Sequence, residues 1–164
     1  FADQEDLQVA FSSTSRNGFA KAHEISAFSL LPLAEGAIPM MKKRGGGSII
    51  SMSFIGSVLA VPHYHVMGPA KASLESSSRY LAKEVGPDNI RVNVISPGPI
   101  KTLSASGIKD FAELMKIGGA HSAMKRTVTQ EEVAQTAVFL ASDASSGITG
   151  QVIYVDCGYS IMAN

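Results

Sequence analysis

Ile90-Arg91-Val92-Asn93-Val94-Ile95-Ser96-Pro97-Gly98-Pro99-Ile100-Lys101-Thr102 is the stretch whose reading decides the architecture. Its first half is a β-branched run of strand length, and its second half, two prolines about a glycine, cannot continue a strand. A largely buried strand is therefore delivered into a loop whose backbone is pinned. Upstream, Ser48-Ile49-Ile50-Ser51-Met52-Ser53 is a second short apolar run, entered from Gly45-Gly46-Gly47. Three glycines can cradle a phosphate, but phosphate loops follow a strand and open a helix, and this one precedes a strand, so it reads as a turn. Between the two strands, Ala70, Leu74, Ser78, Leu81 and Val85 recur on one helical face, and Gly86-Pro87-Asp88-Asn89 ends that helix. Strand, helix, strand implies parallel strands joined by a crossover helix.

The flanks extend the pattern. From Thr14 or Ser15, either a plausible cap, Phe19, Ala22, His23, Ser26, Ala27, Leu30 and Leu31 recur at three- and four-residue spacing. The spacing predicts a long buried helix, kinked near residues 28 to 32 by Pro32 and ending close to Lys42. Before it, Ala2-Asp3-Gln4-Glu5-Asp6 reads as a polar turn. Residues 103 to 126 read as one or two short, mobile helices. Thr129-Gln130-Glu131-Glu132 is a capping box, with Val128 and Val133 placed as a hydrophobic staple, opening a helix to about Ala141. Gln151 to Asp156 is a last strand. The fold class expected is an α/β layer arrangement with a parallel sheet, in one domain spanning residues 1–164.

Composition narrows the function classes. In 164 residues, 45% are hydrophobic, enough for an ordinary core, and 14 Lys plus Arg balance 14 Asp plus Glu. A neutral chain without blocks of like charge gives no footprint for nucleic acid, so a small-molecule partner is expected. No apolar run approaches the roughly 20 residues that span a bilayer, and no membrane partner is expected. The one cysteine, Cys157, reads as a small buried hydrophobe and fits a reducing, cytoplasmic setting. His23 has no acidic neighbours at ligand spacing and reads as structural, and no metal is expected.

The chemistry concentrates in Tyr64-His65-Val66-Met67-Gly68-Pro69-Ala70-Lys71. On a regular helix, seven residues return Lys71 to within about 20° of Tyr64 and about 10 Å along the axis, facing one cleft. An ammonium there stabilises a tyrosinate or grips the vicinal hydroxyls of a ribose. Tyr64 follows the first strand and the loop Pro97-Gly98-Pro99-Ile100 follows the second. Both therefore lie at the carboxyl edge of the sheet, where open α/β folds bind ligands. In that loop Gly98 permits close approach, and Ile100 can offer its N–H and C=O to a planar amide.

The run from Arg91 to Thr102, with Phe139-Leu140-Ala141-Ser142-Asp143 and Gly147-Ile148-Thr149-Gly150-Gln151-Val152-Ile153-Tyr154-Val155-Asp156, resembles the short-chain dehydrogenase/reductase superfamily. Tyr64 separated by six residues from Lys71, with Val66-Met67-Gly68 between, resembles the bacterial enoyl-acyl-carrier-protein reductases. So do Thr102-Leu103-Ser104-Ala105-Ser106-Gly107-Ile108, Phe1-Ala2 and Thr14 to Phe19. The resemblance covers essentially the whole chain. It implies a Rossmann-like doubly wound parallel sheet and NADH-dependent reduction of the trans-2 double bond of enoyl-acyl-carrier-protein thioesters in fatty-acid synthesis, by a homotetramer. It further implies that Tyr64 supports the enolate oxygen and that Lys71 holds the nicotinamide ribose. Gly98, Pro99 and Ile100 would bind the carboxamide side of NAD, and Thr102, Leu103 and Ser104 would follow the pyrophosphate. Ala2, Tyr64, Met67 and Ile108 would contact the acyl substrate, and residues 103 to 115 would form its binding loop.

The departures from that pattern carry information. Ordinary short-chain reductases place Lys four positions after Tyr, where this chain has Gly68, which argues against a ketone reductase. Seventeen positions before Lys71, where most bacterial enoyl reductases have a second Tyr, stands Phe54, as in one branch of the family. Pro69 disturbs a regular helix unless that helix starts late. Nothing resembles the glycine-rich first turn G-x-G-x-x-G. The chain is therefore expected to be the carboxyl-terminal two-thirds of the fold, lacking its amino-terminal strands and exposing a sheet edge. Alternatives are a reductase acting on a carbonyl, or an inactive truncated or oligomer-forming fragment.

Overall fold

The structure, a computed structural model, describes residues 2–100 and 111–163. Its sheet has three parallel strands in the order β1-β2-β3: β1 (Gly47–Met52), β2 (Ile90–Pro97) and β3 (Val152–Val155). Gly47 pairs with Ile90 through to Met52 with Ile95, and Val94 pairs with Val152 through to Pro97 with Val155. β2 is central and buried along nearly its whole length, which is why its apolar run is continuous rather than alternating.

Helices cover both faces. On one, Leu30 and Ala34 of α3 (Leu30–Lys43) and Leu74, Leu81 and Val85 of α4 (Met67–Val85) pack on Ile49, Ile90 and Val92. On the other, Val133 and Leu140 of α6 (Gln130–Ala141) pack on Ile50, Ile95 and Ile153. Burying each such aliphatic side chain contributes roughly 1.5–3 kcal/mol. The arrangement is the doubly wound α/β layer structure expected. Both crossovers step the same way across the sheet yet lie on opposite faces, so they have opposite hands, and one departs from the usual right-handed rule.

The amino-terminal segment differs from its local pattern. In place of a polar turn there is a short helix, α1 (Gln4–Gln8), and α2 (Arg16–His23) follows. The cause is tertiary: the buried carboxylate of Asp6 accepts from Ser15 N at 2.8 Å and Ser15 Oγ at 3.3 Å. Ser15, rather than Thr14, caps α2 by accepting from Gly18 N. In place of one regular helix, α2 and α3 are separated, a turn before Pro32, by a π-helical turn over Glu24–Phe28 closed by Ser29 N donating to Glu24 O at 3.1 Å. Pro32 sits in the opening turn of α3 and Pro39 inside it, and the helix still runs to Lys43. His23 stacks on Phe19, its ring centroid 4.2 Å away, in a structural role.

The capping box of α6 is present in both directions, and Val128 and Val133 are buried in one cluster beside it. Within the region expected to be irregular, α5 spans Phe111–His121. β3 is one residue shorter at each end than expected. Cys157 is half-buried against the α6-side core rather than enclosed by it. Among the described residues β1 pairs only with β2, and its other edge borders an open groove of about 510 Å³ walled by the π turn and α3. No helix of the described residues is long and apolar enough to cross a membrane.

Candidate active site

The residues leaving β1 build the site. Phe54 is extended, and a 3-10 turn over Ile55–Ser57 leads into the loop that carries Tyr64. Tyr64 does not lie on the helix with Lys71. It precedes α4, in turns where Met67 N donates to Tyr64 O and Gly68 N to His65 O, both at 3.0 Å. The helical-wheel relation expected between the two therefore does not hold. The late start also removes the cost of Pro69, which falls in the first turn, where a backbone amide has no helical partner to lose.

Ala2, Phe54, Tyr64 and Met67 meet in one apolar cluster with Ala22, Val66 and Ala70. The Phe54 and Tyr64 rings meet edge to face, 4.9 Å between centroids. Ser26 Oγ points at the Met67 sulfur, at 3.8 Å. Tyr64 is only 8% exposed, and burial pushes its phenol well above the ordinary tyrosine range. This corrects the expectation that Lys71 lowers it: the phenol stays protonated at neutral pH. Among the described residues nothing hydrogen-bonds to its hydroxyl, so the site presents a neutral donor with a free O–H.

Two glycines make room for this tyrosine. A Cβ on Gly56 would stand 2.4 Å from the Tyr64 ring, and a Cβ on Gly68 would stand 2.8 Å from the Gly56 carbonyl oxygen. Any side chain at Gly68, and above all a lysine, is shut out by backbone. The absence of Lys four positions after Tyr64 is thus a packing requirement of the loop that holds Tyr64.

Lys71 stands one turn into α4 and donates from Nζ to Met52 O, the last carbonyl of β1, at 2.8 Å. Burial lowers its pKa, and the nearby carboxylate of Glu75 opposes that shift. Two of its three donors remain for a ligand. Glu75 itself is buried and accepts from Ser53 Oγ at 2.5 Å. Residue-by-residue reading missed Glu75, Ser53 and Gly56; the (i, i+4) spacing of Lys71 and Glu75 is the one signal the sequence held.

The loop after β2 lies against the opposite core. Gly98 N donates to Val155 O at 3.0 Å, and a Cβ on Gly98 would stand 3.1 Å from Asp156 Cα. Gly98 thus permits the close approach of the chain leaving β3. Pro99 is buried, and Ile100 packs on the Ile95 and Val133 cluster. Among the described residues no backbone hydrogen bond engages the peptide group of Ile100. Lys71, whose Nζ reaches the end of β1 from α4, and Ile100, just past the end of the adjacent strand β2, have the donors that the ribose and carboxamide of a nicotinamide nucleotide would need. Thr102, Leu103, Ser104 and Ile108 fall outside the described residues.

Sequence and fold comparisons bear on the family and the fold. The family model described as Enoyl-(Acyl carrier protein) reductase matches residues 1–160. Enoyl-(acyl-carrier-protein) reductase (NADH) FabI of Nostoc sp. is 56% identical over 162 residues, 99% of this chain and 62% of that protein. The protein of the same name from Neisseria meningitidis is 54% identical over 164 residues, again 62% of its length. The Bacillus cereus enoyl-acyl carrier protein reductase, solved with NADP+ and indole naphthyridinone, superposes with a TM-score of 0.95 at 48% identity, covering all of this chain and 63% of that one. The chain thus spans a little under two thirds of the relatives it matches. With a doubly wound parallel sheet, a buried Tyr64 and a matching profile along nearly its whole length, the chain belongs to the enoyl-(acyl carrier protein) reductase family.

Proposed function

We propose that the protein containing this chain reduces the trans-2 double bond of enoyl thioesters carried on acyl-carrier protein, with NADH as the reductant. The observation that carries this reading is Tyr64: a buried phenol, kept protonated by its surroundings, with a free hydroxyl and with Gly68 closing the position from which other reductases present a lysine. A reduced nicotinamide, when bound, supplies a hydride to the β carbon of the substrate. Negative charge then grows on the thioester oxygen, and Tyr64 donates to that oxygen from a dry, fixed position, where one well-placed donor is worth roughly 10²–10³ in rate. Lys71 holds the ribose with its remaining donors, and Ile100 fixes the carboxamide. Phe54, Met67 and Ala2 supply an apolar wall for the acyl chain, which excludes water from the developing charge.

Thr102, Leu103 and Ser104 complete the pyrophosphate side of this proposal, and Ile108 the acyl side. The free β1 edge and the greater length of the relatives support reading residues 1–164 as part of one Rossmann-like reductase domain. The proposal includes a cytoplasmic homotetramer, in which exposed apolar side chains such as Tyr80, Val138 and Ile161 would be covered by further copies of the chain. The test is turnover of crotonyl and acetoacetyl thioesters with NADH. Crotonyl turnover is expected, with kcat lower by about 10²–10³ in Tyr64→Phe and a raised KM for NADH in Lys71→Ala. Turnover of acetoacetyl thioester alone assigns carbonyl reduction instead, and undiminished activity in both variants refutes the roles.

A further inference from the structure

Two successive residues leaving β1 are held by two residues one turn apart on α4. Lys71 Nζ donates to Met52 O at 2.8 Å, and Ser53 Oγ donates to the Glu75 carboxylate. The two bonds have opposite polarity: a cation on a carbonyl, and a hydroxyl on an anion. Together they fix the exit of β1 against α4 at the point where the chain turns toward Phe54 and Tyr64. Glu75 is only 6% exposed, and among the described residues no cation lies at ion-pair distance from it. A buried carboxylate with one short hydroxyl contact is costly unless its charge is used.

We propose that Glu75 is a positioning residue for Lys71: its carboxylate, one turn along α4 and anchored by Ser53, holds negative charge beside the Lys71 ammonium, which the Met52 carbonyl fixes in place at the mouth of the site. The helix supplies the geometry, since residues four apart lie on one face. The electrostatic surroundings leave Glu75 this role. Lys71 is the one titratable group among the described residues lining the groove between β1 and α3. Tyr64, ahead of α4, is neutral. Tyr154 of β3 is raised first by burial and then by the same Glu75 carboxylate, so it adds no charge near neutral pH. With Glu75 removed, burial alone acts on Lys71 and favours the uncharged amine, which has fewer protons to give to a ribose.

The kinetic consequence rests on the reductase reading, and the charge of Lys71 does not. The test is competitive acetylation of the complete protein with acetic anhydride across a pH series, read by mass spectrometry on the Lys71 peptide, with exposed Lys83 of the same helix as internal reference. Glu75→Gln keeps the size and an acceptor for Ser53. The double variant Ser53→Ala/Glu75→Leu removes both partners of the buried bond, a change that is nearly neutral for folding. In both, the Lys71 labelling midpoint is expected to fall by about one pH unit, a tenfold change in its proton equilibrium. The KM for NADH is expected to rise several-fold above that midpoint while kcat changes less. A midpoint within about 0.3 pH unit of the parent in either cooperatively melting variant overturns the inference, whatever the kinetics. A parent protein that reduces no enoyl thioester refutes the reductase reading and leaves the labelling result standing.

Discussion

Gly68→Ala and Gly36→Ala are the same chemical change on two helices, and the structure gives them opposite signs. Gly36 lies in α3 with nothing within 4 Å of the place a methyl group would take, so alanine there gains helix propensity, about 0.5–1 kcal/mol of added stability. At Gly68 the methyl carbon would stand 2.8 Å from the Gly56 carbonyl oxygen, well inside van der Waals contact. The obstacle is backbone, and Gly56 cannot retreat freely because the Tyr64 ring packs against it. Overpacking of this kind costs about 1–3 kcal/mol, and the propensity gain in the first turn of α4 offsets only a few tenths of that. The net expectation for Gly68→Ala is a loss of about 1–2 kcal/mol. The assay is urea unfolding of the protein containing this chain, with the midpoints compared at constant m. Because the displaced loop carries Tyr64, turnover of an enoyl thioester is also expected to fall, by up to about 10²-fold for a 1 Å displacement. Midpoints that rise in both variants, with turnover unchanged in Gly68→Ala, refute the reasoning that Gly68 is glycine because of Gly56.

Two further outcomes follow from other parts of the fold. Glu132 is held at about 2 by hydrogen bonds first from Arg126 and then from Thr129 N. Its folded value lies below the unfolded carboxylate value, so its contribution is complete above about pH 4.5 and is lost as pH falls toward 2. The acid limb of thermal stability in that window should flatten in Glu132→Gln, and an unchanged limb counts against the assignment. Asn93 is fully buried in β2, where its amide donates to Ile148 O at 2.8 Å and accepts from Gln151 N at 3.1 Å, fixing the turn into β3. Asn93→Ala should cost about 1–3 kcal/mol in chemical denaturation by orphaning both backbone groups, and a loss below about 0.5 kcal/mol rejects that account.

The sequence by itself determined the elements whose signals are local. The apolar run of β2, the glycine turn into β1 and the Thr129 capping box each rest on residues within a few positions, and each stands in the structure, with β2 running one residue further than expected, through Pro97 paired with Val155, and Gly47 already the first residue of β1. The family motifs around Tyr64 and Lys71 were legible for the same reason, being contiguous. What only the tertiary structure decided depends on groups distant along the chain. Asp6 turns a polar stretch into a helix by reaching Ser15 nine residues on. The Gly56 carbonyl, twelve positions before Gly68, sets what that position can hold. The protonation of Tyr64 follows from its burial and not from its neighbour Lys71, and Gly98 serves the chain leaving β3. Spacing along a chain reports which side chains share a face. It does not report how deeply that face is buried or which backbone comes to lie against it, and those two quantities set the charge of Tyr64 and the geometry of the site.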